Sequence, residues 1–173
     1  MNPPNMLGLS AIATLGAALL SGSTLAQQNS LKDQLVGTWT LVSNVNVMKD
    51  GSKLETFAAN PKGTFIIEAN GHFATVITRP DLPKMAANDR LKPTPEEAMA
   101  VARGSIAYFG DYTVDEASKS MMLRIEGTTF PNQLGVEQKR VITSISADEV
   151  KINNPSVLGE AVVRGESVWK RVK

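Results

Sequence analysis

Tyr108, Tyr112 and Arg140 are the side chains of this sequence best suited to engage a polar group of a small molecule. The tyrosines lie four residues apart in the run Ser105–Val114, so on a strand they share a face, and Gly110 between them lets a ligand or a neighbouring backbone come close. Packing against a neighbouring element is the other reading of the pair. Arg140 interrupts a strand face that is otherwise apolar, with Val136 and Ile142. A buried guanidinium needs a carboxylate side chain or an anionic ligand group opposite it, and without one it turns outward. His72 is the single histidine, which excludes a multi-histidine metal site; following Gly71, it reads as a solvated turn residue. No Gly-x-Ser-x-Gly elbow precedes a helix, so a Ser–His–Asp nucleophile has no motif behind it. Asp50, Asp81, Asp111, Asp115, Glu116, Asp148 and Glu149 fall mostly in turns and lack the ligand spacing of a calcium loop. There is no cysteine, hence no disulfide, thiol nucleophile or cysteine-built zinc site. No cofactor is expected.

Short strands must position these groups. Trp39, Leu41, Ser43, Val45 and Val47 alternate with Thr40, Val42, Asn44 and Asn46, predicting a first strand with one apolar face. Asp50-Gly51 turns the chain into a second strand over Lys53–Phe57, and Asn70-Gly71 joins Thr64–Glu68 to His72–Thr78 as a hairpin. Thr94-Pro95-Glu96-Glu97 is a capping box with proline at the first helical position, and Gly104 stops the helix after Arg103. That helix, Pro95–Arg103, is expected to cap one mouth or cover a flank. Strands resume at Ser105–Val114, Met121–Glu126, Val136–Ile145, Val150–Asn153 and Val162–Val172, about nine in all. With Trp39 near the start and Trp169 near the end, the pattern predicts a mostly β, closed antiparallel up-and-down barrel with one short helix. Such a barrel is filled by side chains or holds one small ligand. Phe65, Phe73, Ile77, Met121 and Phe130 are apolar residues able to line a pocket or fill a core.

The first 26 residues carry no charged side chain and contain the apolar run Leu7–Leu20, too short to span a bilayer and of the length found in secretory signals. Ser21–Ala26 supplies a small, polar tail, so cleavage before Gln27 and export to the periplasm or medium are expected, leaving 27–173 as one domain without a membrane span. About 150 residues bury enough surface to need no metal or cross-link. The net charge is +1 without long runs of either sign, which gives no electrostatic support for a nucleic-acid or anionic-membrane partner.

The segments Leu35–Ser43 (LVGTWTLVS) and Val168–Val172 (VWKRV) resemble the lipocalin-like domain family of exported bacterial proteins, within the wider calycin group. So do Glu68–Phe73 (EANGHF), Arg79–Lys84 (RPDLPK), Ala107–Tyr112 (AYFGDY) and Phe130-Pro131-Asn132, and together they cover almost the whole chain after residue 26. The resemblance implies a calycin-type barrel in which Trp39 and Arg171 form a structural floor by cation–π contact. Trp169 shares the face of Arg171, so either could line the interior. Fatty-acid-binding proteins hold a carboxylate with an Arg two residues before an aromatic on the last strand. Ser167 stands at that place here, before Trp169, which leaves Arg140 as the better interior cation.

The expected function is non-catalytic binding or carriage of a small, largely apolar molecule, with Phe65, Phe73, Ile77, Tyr108, Tyr112, Met121, Phe130 and Arg140 as its ligand-binding residues. Two alternatives stand beside it. One is an isomerase or cyclase drawing a proton from a pocket Tyr or Arg. The other is an interaction protein with a solid barrel, engaging a partner through the loop Arg79–Lys92.

Overall fold

The computed structural model describes residue 1, residues 29–155 and residues 161–173. The expected leader and its cleavage site lie outside the described residues, apart from Met1. In chain order the elements are α1 (Leu31–Leu35), β1 (Gly37–Met48), β2 (Lys53–Leu54), β3 (Lys62–Ile67), β4 (His72–Thr78), α2 (Pro95–Gly104), β5 (Ser105–Asp115), β6 (Ser120–Thr128), a 3-10 turn at Pro131–Gln133, β7 (Glu137–Ile145), β8 (Glu149–Pro155) and β9 (Val162–Arg171). Every strand pairing is antiparallel, and β1 pairs with both β3 and β9. Eight strands therefore close into the expected barrel, with β2 attached outside the ring on β1. The second strand stops at Leu54 rather than Phe57 because the chain turns there: Ala58 takes φ +64° and Asn46 Nδ2 donates to Thr56 Oγ1 at 2.7 Å.

Alternation along the strands fills the interior. Trp39, Leu41, Phe65, Ile67, Phe73, Ile77, Tyr112, Met121, Leu123, Ile125, Ile142, Val150, Ile152 and Trp169 form one buried cluster. The first strand departs from its expected pattern. The pairing with β9 slips between Leu41 and Ser43, and after the slip Asn44 stands opposite Ser167 and Asn46 opposite Gly165. A bulge of this kind adds a residue to one strand and reverses the alternation. Trp39 and Leu41 thus face inward as expected, whereas beyond the bulge Asn44 replaces Ser43 and Val45 on the inner face.

The two ends differ. At one end α1 lies across the barrel, capped by Ser30 Oγ and buried through Leu31 and Leu35. The Leu31 and Lys32 amides donate to Glu116 on the β5–β6 turn, at 2.8 and 3.2 Å, and Trp39 Nε1 donates to Leu35 O at 2.9 Å. The expected helix, α2, has its capping box formed by Thr94 and Glu97. It belongs to the other end and closes neither mouth, since Gly104 is its one buried residue. No helix among the described residues is long and apolar enough to cross a membrane.

Candidate functional site

Inside the barrel is a small hole lined by Asn44, Phe65, Thr75, Ile77, Tyr108, Arg140, Ile152, Asn154, Ser167 and Trp169. Its volume is about 30 Å³, room for one or two water molecules. Aromatic rings form an arc along its wall. Tyr108 meets Phe73 edge-on at 6.0 Å between centroids, Phe73 meets Phe65 edge-on at 6.1 Å, and Phe65 meets Trp169 at 5.6 Å.

Besides Asn44 on β1, the polar groups come from five strands, β4, β5, β7, β8 and β9. Arg140, 6% exposed, donates from one terminal nitrogen to Gln138 Oε1 at 2.5 Å and to Tyr108 Oη at 3.3 Å, and from the other to the Lys139 carbonyl at 3.2 Å. None of the ion pairs among the described residues includes Arg140. Gln138 Nε2 and Asn154 Oδ1 are buried without a hydrogen-bond partner. Ser167 Oγ accepts from Trp169 Nε1 at 2.9 Å, and Thr75 Oγ1 donates to the Thr64 carbonyl at 2.9 Å. Buried polar groups are normally satisfied, so the orphaned Asn154 Oδ1 in the lining of the hole marks a place where a further hydrogen-bonding group fits.

Of the eight expected ligand-binding residues, Phe65, Ile77, Tyr108 and Arg140 line the hole, and Phe73 packs against two of its lining rings. Met121 and Tyr112 point inward but lie outside its lining, toward the α1 end. Met121 is fully buried opposite Arg140, and Tyr112 donates from its hydroxyl to the Glu68 carbonyl at 2.7 Å, while burial pushes that hydroxyl's pKa up. The ammonium of Lys32 lies 5.9 Å from the Tyr112 ring centre. Tyr108 and Tyr112 share a face, yet four residues of strand separate them by about 13 Å, so one serves the hole and the other the floor. Phe130 is 40% exposed on the β6–β7 connection, where proline-led 3-10 geometry turns it away from the interior. Asn44, Thr75, Ile152, Asn154, Ser167 and Trp169 complete the lining. The bulge hid Asn44, while strand alternation with Val150 and Ile152 was the available signal for Asn154.

The floor is built around Arg171. Its guanidinium lies 4.0 Å over the Trp39 ring and donates to three carbonyls: Nε to Ala147 at 2.7 Å, and the terminal nitrogens to Val36 at 2.8 Å and Gln34 at 2.5 Å. This fork ties α1, the β7–β8 turn and β9 together. His72 is on the outer wall, with Nδ1 2.8 Å from Asp111 Oδ1. The hydrogen bond from Arg124 at 2.9 Å holds the Asp111 carboxyl below its usual range. Among the described residues no His, Asp and Glu grouping suits a metal ion.

A 4'-hydroxy-3'-methoxypropiophenone carrier protein of Aspergillus oryzae is 25% identical over 104 residues, covering 56% of this chain and 93% of that protein. Among solved structures, a redesigned beta barrel has a TM-score of 0.42 at 13% identity, covering 83% of this chain and 96% of its own. A de novo fluorescence-activating beta barrel likewise has a TM-score of 0.42, at 11% identity, covering 84% of this chain and all of its own. The family model described as lipocalin-like domain matches residues 36–172, from the residue before the first barrel strand to the residue after the last, and the chain belongs to that family.

Proposed function

We propose that this protein binds a small, largely apolar molecule inside the barrel and carries or sequesters it, without catalysis. The observation that carries the reading is the hole itself: aromatic walls from Phe65, Tyr108 and Trp169 together with a lining polar atom left without a partner, Asn154 Oδ1. Rings supply area for an apolar body, and a few fixed polar groups orient one end of it. The carrier relative supports the same reading. A volume of about 30 Å³ is too small for an organic ligand, so binding requires the interior to widen. Widening away from the α1 floor costs least, because the floor is tied by Arg171 whereas Asn154 Oδ1 is held by no hydrogen bond.

Trp169 lines the hole and Trp39 lies in the floor, which gives a direct test. Titration with 4'-hydroxy-3'-methoxypropiophenone and other small phenyl ketones is expected to change tryptophan emission saturably in the native chain, and a Trp169→Phe variant should lose that change. An emission that never responds to any compound of the series would sink the reading. Export is part of the proposal, on the strength of the Leu7–Leu20 run and the Ser21–Ala26 tail. A secreted form whose first residue is Gln27 supports it; a full-length chain retained in the cytoplasm counts against it.

The tightness of the interior, together with Leu91 at 81% exposure on the loop Arg79–Lys92, favours a second reading in which that loop contacts a partner. Leu91→Ser separates the two: it leaves a ligand titration unchanged if the barrel is the site, and abolishes partner capture if the loop is.

A further inference from the structure

We propose that the molecule bound in the barrel is an organic acid, with its ionised carboxylate seated on Arg140 and its apolar body against Phe65, Phe73 and Trp169. This rests on the small-molecule reading above and narrows it to a ligand class. Arg140 is 6% exposed, and its acceptors are all neutral: Gln138 Oε1, Tyr108 Oη and the Lys139 carbonyl. No ion pair among the described residues compensates its charge. Burying a guanidinium against neutral acceptors alone leaves much of its desolvation unrepaid, and a guanidinium does not escape the cost by deprotonating.

The two side chains that accept from Arg140 are turned to match a further acceptor. Gln138 gives its carbonyl oxygen to Arg140, which leaves Nε2 as a donor without an acceptor. Tyr108 accepts from Arg140 through its hydroxyl oxygen, which leaves its O–H to donate. Arg140 and Tyr108, both in the lining of the hole, therefore offer N–H and O–H donors to it, and a carboxylate has the lone-pair directions and the negative charge to satisfy them. A ketone, ester or alcohol accepts fewer of these bonds and leaves the charge unneutralised. The arc of rings from Tyr108 through Phe73 and Phe65 to Trp169 gives the rest of such a molecule an apolar wall.

Calorimetric titration of the full chain with matched pairs of acids and methyl esters tests this, from 3-phenylpropanoate to decanoate, with acetate as an acid that has no body. Each acid is expected to bind roughly ten- to a hundredfold more tightly than its ester, and acetate far more weakly than either long acid. Equal binding of ester and acid overturns the inference and leaves the small-molecule reading standing. Acetate as tight as decanoate overturns it in favour of a small-anion site. If neither series binds at all, the inference falls, and the small-molecule reading falls with it only if the phenyl ketones also fail to bind. In Arg140→Gln, shown to be folded by circular dichroism, acid and ester affinities should converge to within about threefold. A preference retained in that variant overturns the assignment, and the acid-to-ester ratio of the native chain needs no variant at all.

Discussion

Replacing Gly37 with Ala probes the barrel floor through a coupling that the structure makes specific. Gly37 has φ +136°, a conformation unfavourable for any residue with a Cβ, and a Cβ there would lie 2.6 Å from a terminal nitrogen of Arg171. Two costs follow. The backbone strain is worth about 1–3 kcal/mol. Displacing the guanidinium weakens its bonds to the Val36 and Gln34 carbonyls, worth about 1.5 kcal/mol each at the low end for a charged donor, and its contact with Trp39, worth about 1 kcal/mol. If roughly half of the second group is lost, the variant is destabilised by about 3–5 kcal/mol. In an Arg171→Met background only the strain remains, so Gly37→Ala should cost about 1.5–2 kcal/mol less there than in the native chain. Urea unfolding of the four proteins of this cycle, followed by tryptophan emission, measures the coupling. Costs that add to within about 0.5 kcal/mol would refute the claim that Gly37 is small in order to admit Arg171.

Gly110→Ala should destabilise the barrel by about 2 kcal/mol or more in the same assay, because a Cβ there overlaps the Arg124 carbonyl oxygen where β6 bulges at Glu126; a neutral result would refute that packing. Tyr112→Phe leaves the Glu68 carbonyl without its 2.7 Å donor and should cost about 1–2 kcal/mol while leaving ligand affinity unchanged, since Tyr112 lies outside the lining of the hole. Asp111 is held below its usual pKa first by the hydrogen bond from Arg124, and Glu97 by the amides of Ala86 and Thr94. For such groups the unfolded chain takes up protons first as pH falls. Their contribution is therefore present above the ordinary carboxylate range and disappears as pH drops through the lowered native values. Urea midpoints taken downward from neutral pH should decline in that acidic range, with a shallower decline in Asp111→Asn, and equal slopes for the two proteins would contradict the assignment.

Much of the fold was legible because its signals are local. Asn70-Gly71 fixes a hairpin, Thr94 to Glu97 fixes a helix start, and alternation in β3 to β6 fixes which side chains face inward. The β1 bulge was not legible: Val42 and Ser43 look like any strand pair, and the slip appears only in their pairing with β9. That slip carried Asn44 into the interior unannounced. The helix α1 is five residues long, too short for a periodic signal, and owes its order to Leu31, Leu35 and the carboxylate of Glu116. At the hole, Tyr108 and Arg140 stood out because a polar group on an apolar face is conspicuous, and bonds from Arg140 link them. Asn154 did not, because the eighth strand was expected to end at Asn153; it runs on to Pro155, and the alternation of Val150 and Ile152 then carries Asn154 inward.

The most direct test is native mass spectrometry of the protein isolated from its own host, followed by denaturing release of whatever it holds. The expected result is a defined additional mass that survives gentle ionisation, leaves on denaturation, and belongs to a small, largely apolar molecule. A chain that flies at its bare mass in every preparation, and gains none when offered the phenyl ketone and fatty-acid series, would contradict small-molecule carriage by this barrel.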